Sequence, residues 1–373
     1  MRGINDYQQA YARGESPRVV IGRLWQRIEE EAHPGIWIHQ PDWEHIAAQL
    51  DDLEGQDATG LPLYGVPFVI KDNIDWAGHP TTAGCPDFAY VPEHSAPVVE
   101  LLLEAGGVCL GKTNLDQFAT GLVGVRTPYG APRNPFDERF LPGGSSCGSA
   151  VAVARGWAAF ALGTDTAGSG RVPAAFNELV GLKPTRGFLS TSGVVPACRS
   201  LDCVSVFATS CRDAERVLGV VGTFDDGDPW SRPAPSHWRR FPERFRFGLP
   251  RTESLQFFGW DEAADLFEGA AAVLESLGGQ RVEIDLAPFL EAARLLYEGP
   301  WVAERFVAIE GFLRDHPDSI WPVTREIISG GAAPRAAEAF RARYRLAECR
   351  RAAEQALAGV DLAVTPTAPR NYT

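Results

Sequence analysis

Hydrophobic positions along the chain fall into segments of distinct period. From residue 63 to about residue 208, short apolar runs alternate with segments of helical spacing and are separated by brief Gly/Pro loops, which predicts an α/β fold. Pro67-Phe68-Val69-Ile70 reads as an apolar strand ending on Lys71. Residues 96–105 place Val98, Val99, Leu102 and Leu103 at helical spacing, with Gly106-Gly107 as the C-cap and Val108-Cys109-Leu110 as the next strand. Residues 222–244, rich in Pro, Asp, Trp and Arg, interrupt the pattern as a long surface connection. Beyond them the spacing predicts a strand at 245–248, a helix over 261–277, a strand at 281–286 and helices from 287 through 351. There is no internal repeat and no low-complexity tail.

Two glycine-serine runs stand inside the apolar region. Gly143-Gly144-Ser145-Ser146-Cys147-Gly148-Ser149-Ala150 precedes Gly163-Thr164-Asp165-Thr166-Ala167-Gly168-Ser169-Gly170-Arg171. Such runs alone suit a flexible linker. Here Val151-Ala152-Val153-Ala154 and Trp157-Ala158-Ala159-Phe160-Ala161-Leu162 lie between them and are apolar enough to form a buried helix and strand. Each run is therefore a turn bracketed by core elements, and glycine lets neighbouring amides converge on one point, as an oxyanion site requires.

Lysine usage adds a separate indication. Of 35 basic residues only Lys71, Lys112 and Lys183 are lysine. An ammonium sheds its proton when desolvated and a guanidinium does not, so the retained lysines are candidates for chemistry. Lys71, at the end of its apolar strand, is best placed to act as a base.

Two competing motifs are present. Gly106-Gly107-Val108-Cys109-Leu110-Gly111-Lys112-Thr113 satisfies the phosphate-loop pattern. That loop must follow a strand, whereas a helix precedes it here and its middle reads as a strand. Gly144-Ser145-Ser146-Cys147-Gly148 satisfies the nucleophile-elbow pattern, yet the approach Asp137-Glu138-Arg139 is charged rather than apolar, and only His237 and His316 follow. All seven histidines read as surface or structural residues.

These residues resemble the amidase signature family over nearly the whole chain. The likeness is carried by Gly65-Val66-Pro67-Phe68-Val69-Ile70-Lys71-Asp72-Asn73, Gly111-Lys112-Thr113-Asn114, both glycine-serine turns, Val180-Gly181-Leu182-Lys183-Pro184-Thr185 and Ser200-Leu201-Asp202. The resemblance implies a mixed, multi-stranded central sheet covered by helices on both faces, with a helical approach over about 1–60, a catalytic core over about 61–210 and a substrate-side helical portion over about 245–373. It implies a Ser-Ser-Lys triad of Ser169 as nucleophile, Ser145 as bridging serine and Lys71 as base, with the amides of Thr166, Ala167, Gly168 and Ser169 as the oxyanion hole. Ser146 and Ser149 are alternative hydroxyls. Asp165 and Arg171 read as a structural pair holding the turn, and Thr164 touches either substrate or the turn alone. Cys147 stands where the family usually has glycine and reads as a tolerated small residue.

A narrower resemblance, to the allophanate hydrolases of that family, is carried by Ala167-Gly168-Ser169-Gly170-Arg171-Val172-Pro173-Ala174-Ala175-Phe176, Val195-Pro196-Ala197-Cys198-Arg199-Ser200-Leu201-Asp202-Cys203 and Leu296-Tyr297-Glu298-Gly299-Pro300-Trp301-Val302-Ala303-Glu304-Arg305. It implies ATP-independent release of ammonia from allophanate, a small anionic amide. A neutral base cannot also hold a carboxylate, so another cation must. Gly299-Pro300 breaks the helix after Tyr297 and starts another with Arg305 about one turn in. The resemblance assigns Arg305 to the carboxylate, Tyr297 to the urea end and Gly121 to the loop lining the pocket. It also implies a smaller C-terminal domain that the 373 residues do not contain. A glutaminase subunit for tRNA amidation is the sibling reading.

Composition narrows the partners. A chain that is 45% hydrophobic can bury a large core, and the net charge of −13 argues against nucleic acid or an anionic membrane as partner. Seven cysteines without a C-x-x-C pair suit a reducing compartment and suggest no metal site. No secretory leader or membrane span is evident, so the expected location is the cytoplasm. The reaction needs no cofactor, and the expected assembly is a homodimer, with other enzymes of urea or cyanuric acid breakdown as further partners.

Overall fold

The computed structural model describes residues 2–31, 33–233 and 241–373. His237 and residues 234–240 of the expected surface connection lie outside the described residues. The chain divides into two compact units, residues 1–234 with 308–326, and residues 235–307 with 327–372.

The first unit opens with α1 (Ile4–Ala12) and α2 (Pro17–Glu31), then β1 (Trp37–His39) and α3 (Trp43–Leu53), where Asp42 caps α3 by accepting the His45 amide at 3.1 Å. It continues with β2 (Pro67–Lys71), α4 (Pro97–Glu104), β3 (Val108–Thr113), α5 (Cys147–Ala154), β4 (Phe160–Thr164), α6 (Arg171–Phe176), β5 (Val180–Leu182), β6 (Val204–Ala208) and α7 (Cys211–Val221). Its six strands form one sheet in the order β1-β3-β2-β4-β6-β5. The central β2 is parallel to both β3 and β4, while β1, β6 and β5 enter by antiparallel pairings. This is the mixed sheet that the family resemblance implies.

Register decides what the strands deliver. Lys71 pairs with Thr113, and Ile70 with Leu162 on the other side. The three parallel strands β3, β2 and β4 therefore end side by side on Thr113, Lys71 and Thr164, and the carboxyl ends of parallel strands are where α/β sheets place their sites. Beneath that edge the core is close-packed. Phe68 and Phe160 stack at 5.3 Å, and buried Trp157 stacks on Trp37 at 6.1 Å while its indole N–H donates to Glu31 at 2.7 Å.

The phosphate-loop motif is structural. Val98, Val99 and Leu102 bury one face of α4, Gly106 turns the chain at φ 88°, and all six residues of β3 are buried. Its amides therefore serve a buried strand and leave no open cradle.

The second unit holds β7 (Phe245–Pro250), α8 (Asp261–Ser276), β8 (Gly279–Ile284), α9 (Ala287–Tyr297), α12 (Ala336–Ala356) and β9 (Leu362–Ala363). The intervening α10 (Val302–Asp315) and α11 (Pro322–Ser329) each contribute residues to both units. Strands β8, β7 and β9 form a separate parallel sheet, so the strands expected at 245–248 and 281–286 pair with each other. β8 starts two residues earlier than expected because Gly278, at φ 94°, turns the chain straight out of α8, and a side chain at Gly279 would meet the Leu274 carbonyl at 2.7 Å. The break at Gly299-Pro300 falls as expected: α9 ends on Tyr297, and Arg305 is the fourth residue of α10. Arg345 on α12 binds Glu291 on α9 at 2.7 Å. No helix among the described residues is long and apolar enough to cross a membrane.

Tight packing of α5 on the end of β3 is the feature that positions the serine turn. A Cβ at Gly148 would lie 2.5 Å from the Ile36 carbonyl and 2.6 Å from the Asn114 amide. We therefore expect Gly148→Ala to cost about 1 to 3 kcal/mol, as overpacked cores do. Urea unfolding reads this as a lower midpoint, and an unchanged midpoint would contradict the close approach.

Candidate active site

Lys71 is the centre of the site. It is 0% exposed, and its Nζ lies 2.8 Å from Ser145 Oγ and 2.8 Å from Thr164 Oγ1. No carboxylate touches it among the described residues. Burial lowers its pKa from the ordinary lysine value to about 7, while Cys147 and the charges of Asp116, Asp165 and Asp202 pull it partly back. Lys112, equally buried on the neighbouring strand, shows the opposite solution. Its Nζ is 3.2 Å from Asp72 and also donates to the Pro80 carbonyl and to Thr81. Asp72 follows Lys71 directly in sequence, but alternation along the chain gives its carboxylate to Lys112.

Ser145 reaches Lys71 because its turn is tied down on both sides. The Asp116 amide donates to the Ser145 carbonyl at 3.0 Å, and the Gly144 amide donates to the Leu122 carbonyl at 2.9 Å. The Gly144-Ser145 peptide is cis. Glycine is required at 144, since a Cβ there would fall within 2.6 Å of the Gly124 amide nitrogen. The two alternative serines are committed elsewhere. Ser146 Oγ donates to the Thr164 carbonyl at 3.2 Å, while Ser149 Oγ donates to the Leu162 carbonyl at 3.0 Å and bonds Thr113 Oγ1 at 2.7 Å. Both act as pins between α5 and the sheet.

Ser169, 5% exposed, sits in the turn after β4, which is organised by Asp165. The Asp165 carboxylate accepts the amides of Gly168 at 2.7 Å, Gly170 at 3.1 Å and Arg171 at 3.0 Å, and receives the Arg171 guanidinium at 2.9 and 2.8 Å. Burial alone would raise this carboxyl, but Arg171 and the amides hold it below its usual value. A second anchor is Asp202, which accepts the Thr166 hydroxyl and the amides of Ala197 and Cys198. The Ser146 amide donates to the Ser169 carbonyl at 3.3 Å, tying the two turns together one residue from Ser145. No hydrogen bond joins the Ser145 and Ser169 hydroxyls among the described residues.

The expected oxyanion set changes at one position. The Gly168 amide is spent on Asp165 and is not available to an oxyanion. The amides of Thr166 and Ser169 make no hydrogen bond among the described residues, which leaves them as candidate donors.

Gly121 is explained by packing in this structure, since a Cβ there would meet the Asp116 carboxylate at 2.7 Å. Asp116 in turn accepts the amides of Val123, Gly124 and Arg126, fixing the loop over residues 121–126. Tyr297 and Arg305 belong to the second unit; Tyr297 lines a cavity of about 560 Å³ there, with Phe258, Arg294 and Thr367. Asp116 is the residue that motif reasoning missed, while Asn73 and Asp202 were visible only as parts of motifs, with no role of their own. A lone carboxylate inside Leu115-Asp116-Gln117-Phe118-Ala119 is the one available indication for Asp116. Among the described residues no cluster of His, Cys, Asp or Glu is arranged to hold a metal.

The amidase family's sequence profile matches residues 20–373. Urea amidolyase of Saccharomyces cerevisiae is 47% identical over 342 residues, 90% of this chain and 18% of that protein. A glutamyl-tRNA(Gln) amidotransferase subunit of Prochlorococcus marinus is 33% identical over 401 residues, 98% of this chain and 82% of that protein. Among solved structures, the allophanate hydrolase of Kluyveromyces lactis matches with a TM-score of 0.94 at 42% identity, covering 99% of this chain and 61% of that one. The chain thus spans about a fifth of the length of the urea amidolyases it matches.

Cys147 provides a check on the geometry. It is fully buried, its thiol faces the Asn114 carbonyl at 3.5 Å, and burial raises its pKa. Iodoacetamide should therefore alkylate exposed Cys211 in the native protein and spare Cys147, as peptide mass mapping would read. Alkylation of native Cys147 would show that the serine turn is open rather than packed.

Proposed function

The chain belongs to the amidase family, and from that premise we propose that it is an amidohydrolase that releases ammonia from allophanate through an acyl-enzyme on Ser169. The observation that carries the proposal is a lysine buried among hydroxyls, with its Nζ on Ser145 and its pKa brought to about 7. Serine is a weak nucleophile until a base takes its proton. Neutral Lys71 takes the proton of Ser145 while Ser145 takes that of Ser169. The Ser169 oxygen bonds to the amide carbon, and the oxyanion is met by turn amides, each donor of this kind contributing about 3 to 4 kcal/mol. The relay then runs in reverse, the proton passes to the departing nitrogen, and ammonia leaves. Water repeats the cycle on the acyl-enzyme.

The choice of substrate is supported by the similarity to urea amidolyase and to an allophanate hydrolase. With the base neutral, a substrate carboxylate needs another cation, and Arg305 is assigned to it, with Tyr297 at the urea end and Gly121 in the bordering loop. Similarity to a glutamyl-tRNA(Gln) amidotransferase component over 98% of the chain favours one alternative, a glutaminase.

Ammonia release from allophanate, biuret, malonamate, acetamide and glutamine separates these readings. The proposal expects allophanate to be preferred without ATP, and preference for glutamine or for a neutral fatty amide would overturn it. Arg305→Ala should lose roughly thirtyfold or more on allophanate, matching about 2 to 5 kcal/mol for an unpaired charge, and much less on acetamide. Equal losses on both substrates would remove Arg305 from carboxylate recognition.

A further inference from the structure

The Lys71 amine has two hydroxyl neighbours at the same distance, and the relay uses only Ser145. The other, Thr164, ends β4 directly beside the end of β2 and is 2% exposed. Its surroundings fix how its oxygen is used. Asn73 Nδ2 lies 3.3 Å from Thr164 Oγ1 and 3.2 Å from the Val195 carbonyl oxygen. A carbonyl only accepts, so the nitrogen of the Asn73 amide, not its oxygen, faces both partners. Thr164 Oγ1 accordingly accepts an N–H from Asn73 and keeps a second lone pair for Lys71.

A neutral amine has two N–H groups and one lone pair. With one N–H placed on Thr164, the lone pair is left for the Ser145 proton. Once that proton arrives, the buried ammonium needs an acceptor that is not itself part of the relay. The charged and titratable groups facing Lys71 are Cys147, Asp116, Asp165 and Asp202, and the three carboxylates are occupied with backbone amides, Arg171 or Thr166. Thr164 is the neutral acceptor in direct contact.

We propose that Thr164, held by Asn73, is a positioning residue that aims the Lys71 lone pair at Ser145 and receives the ammonium after proton transfer. The proposal rests on the hydrolytic reading of the site but not on the identity of the substrate. It assigns Thr164 to neither of the roles open to it from sequence, substrate contact or turn stability.

The test is the rate at which a small fluorophosphonate labels Ser169, followed against pH in wild type, Thr164→Ser and Thr164→Val. In wild type labelling should rise with pH through about 7, because only the neutral amine is a base. In Thr164→Val the plateau should fall by roughly ten- to a hundredfold as the base loses its aim. The acid limb should also move to lower pH by about one unit, since the ammonium has lost an acceptor and the charged form is disfavoured. Thr164→Ser should restore both. A lowered plateau with an unmoved limb, or a serine variant that fails to restore the profile, would overturn the proposal. If the valine variant does not fold by thermal unfolding, Thr164→Ala serves the same comparison. Because the probe reports on Ser169 directly, a protein that labels normally yet spares allophanate would fail the substrate reading while leaving this one standing.

Discussion

Removing one ammonium from water is the constraint around which the site is organised. A lysine at full burial loses its hydration, and the charged form is disfavoured by several kcal/mol unless a carboxylate compensates. Lys71 receives hydroxyls instead, and burial brings its pKa down to about 7. The strand carrying it is buried along its whole length and sits between two parallel neighbours, which leaves the side chain no route to solvent.

Keeping that amine neutral requires every nearby carboxylate to be engaged elsewhere. Asp72 is drawn to Lys112, Asp165 to Arg171 and three amides, Asp116 to the loop over residues 121–126, and Asp202 to Thr166. Each engagement also shapes the site: Asp165 folds the Ser169 turn, and Asp116 holds both the Ser145 turn and its neighbouring loop. The arginine at 171 is suited to this work because its planar fork binds a carboxylate at two points and never loses its charge. Around the site the cations differ in partner: Arg171 and Lys112 are each paired with a carboxylate, and Lys71, among the described residues, is not.

Much of this was legible in the residues, and the exceptions have physical causes. The strand ending on Lys71 and the two turns bracketing a buried helix and strand follow from local pattern, which short elements of strong period express well. Sheet membership does not, because pairing is non-local: nothing in Phe245-Arg246-Phe247-Gly248 says that it joins β8 and β9 rather than the six-stranded sheet. Gly168 departs from expectation for a related reason. Consecutive amides in a glycine turn do converge, but the carboxylate three residues earlier captures one of them. Asp116 and Asn73 act through partners distant in sequence, such as Arg126 and Val195, so no spacing rule exposes them.

The neutrality of Lys71 is directly measurable because the chain contains only Lys71, Lys112 and Lys183. Lysine labelled with carbon-13 at Cε yields a spectrum of three side chains, and the resonance that disappears in Lys71→Met is that of Lys71. The account predicts that this resonance titrates near pH 7 in the folded protein. A Lys71 signal that keeps the ammonium shift up to about pH 9, as an ordinary solvated lysine does, would contradict it.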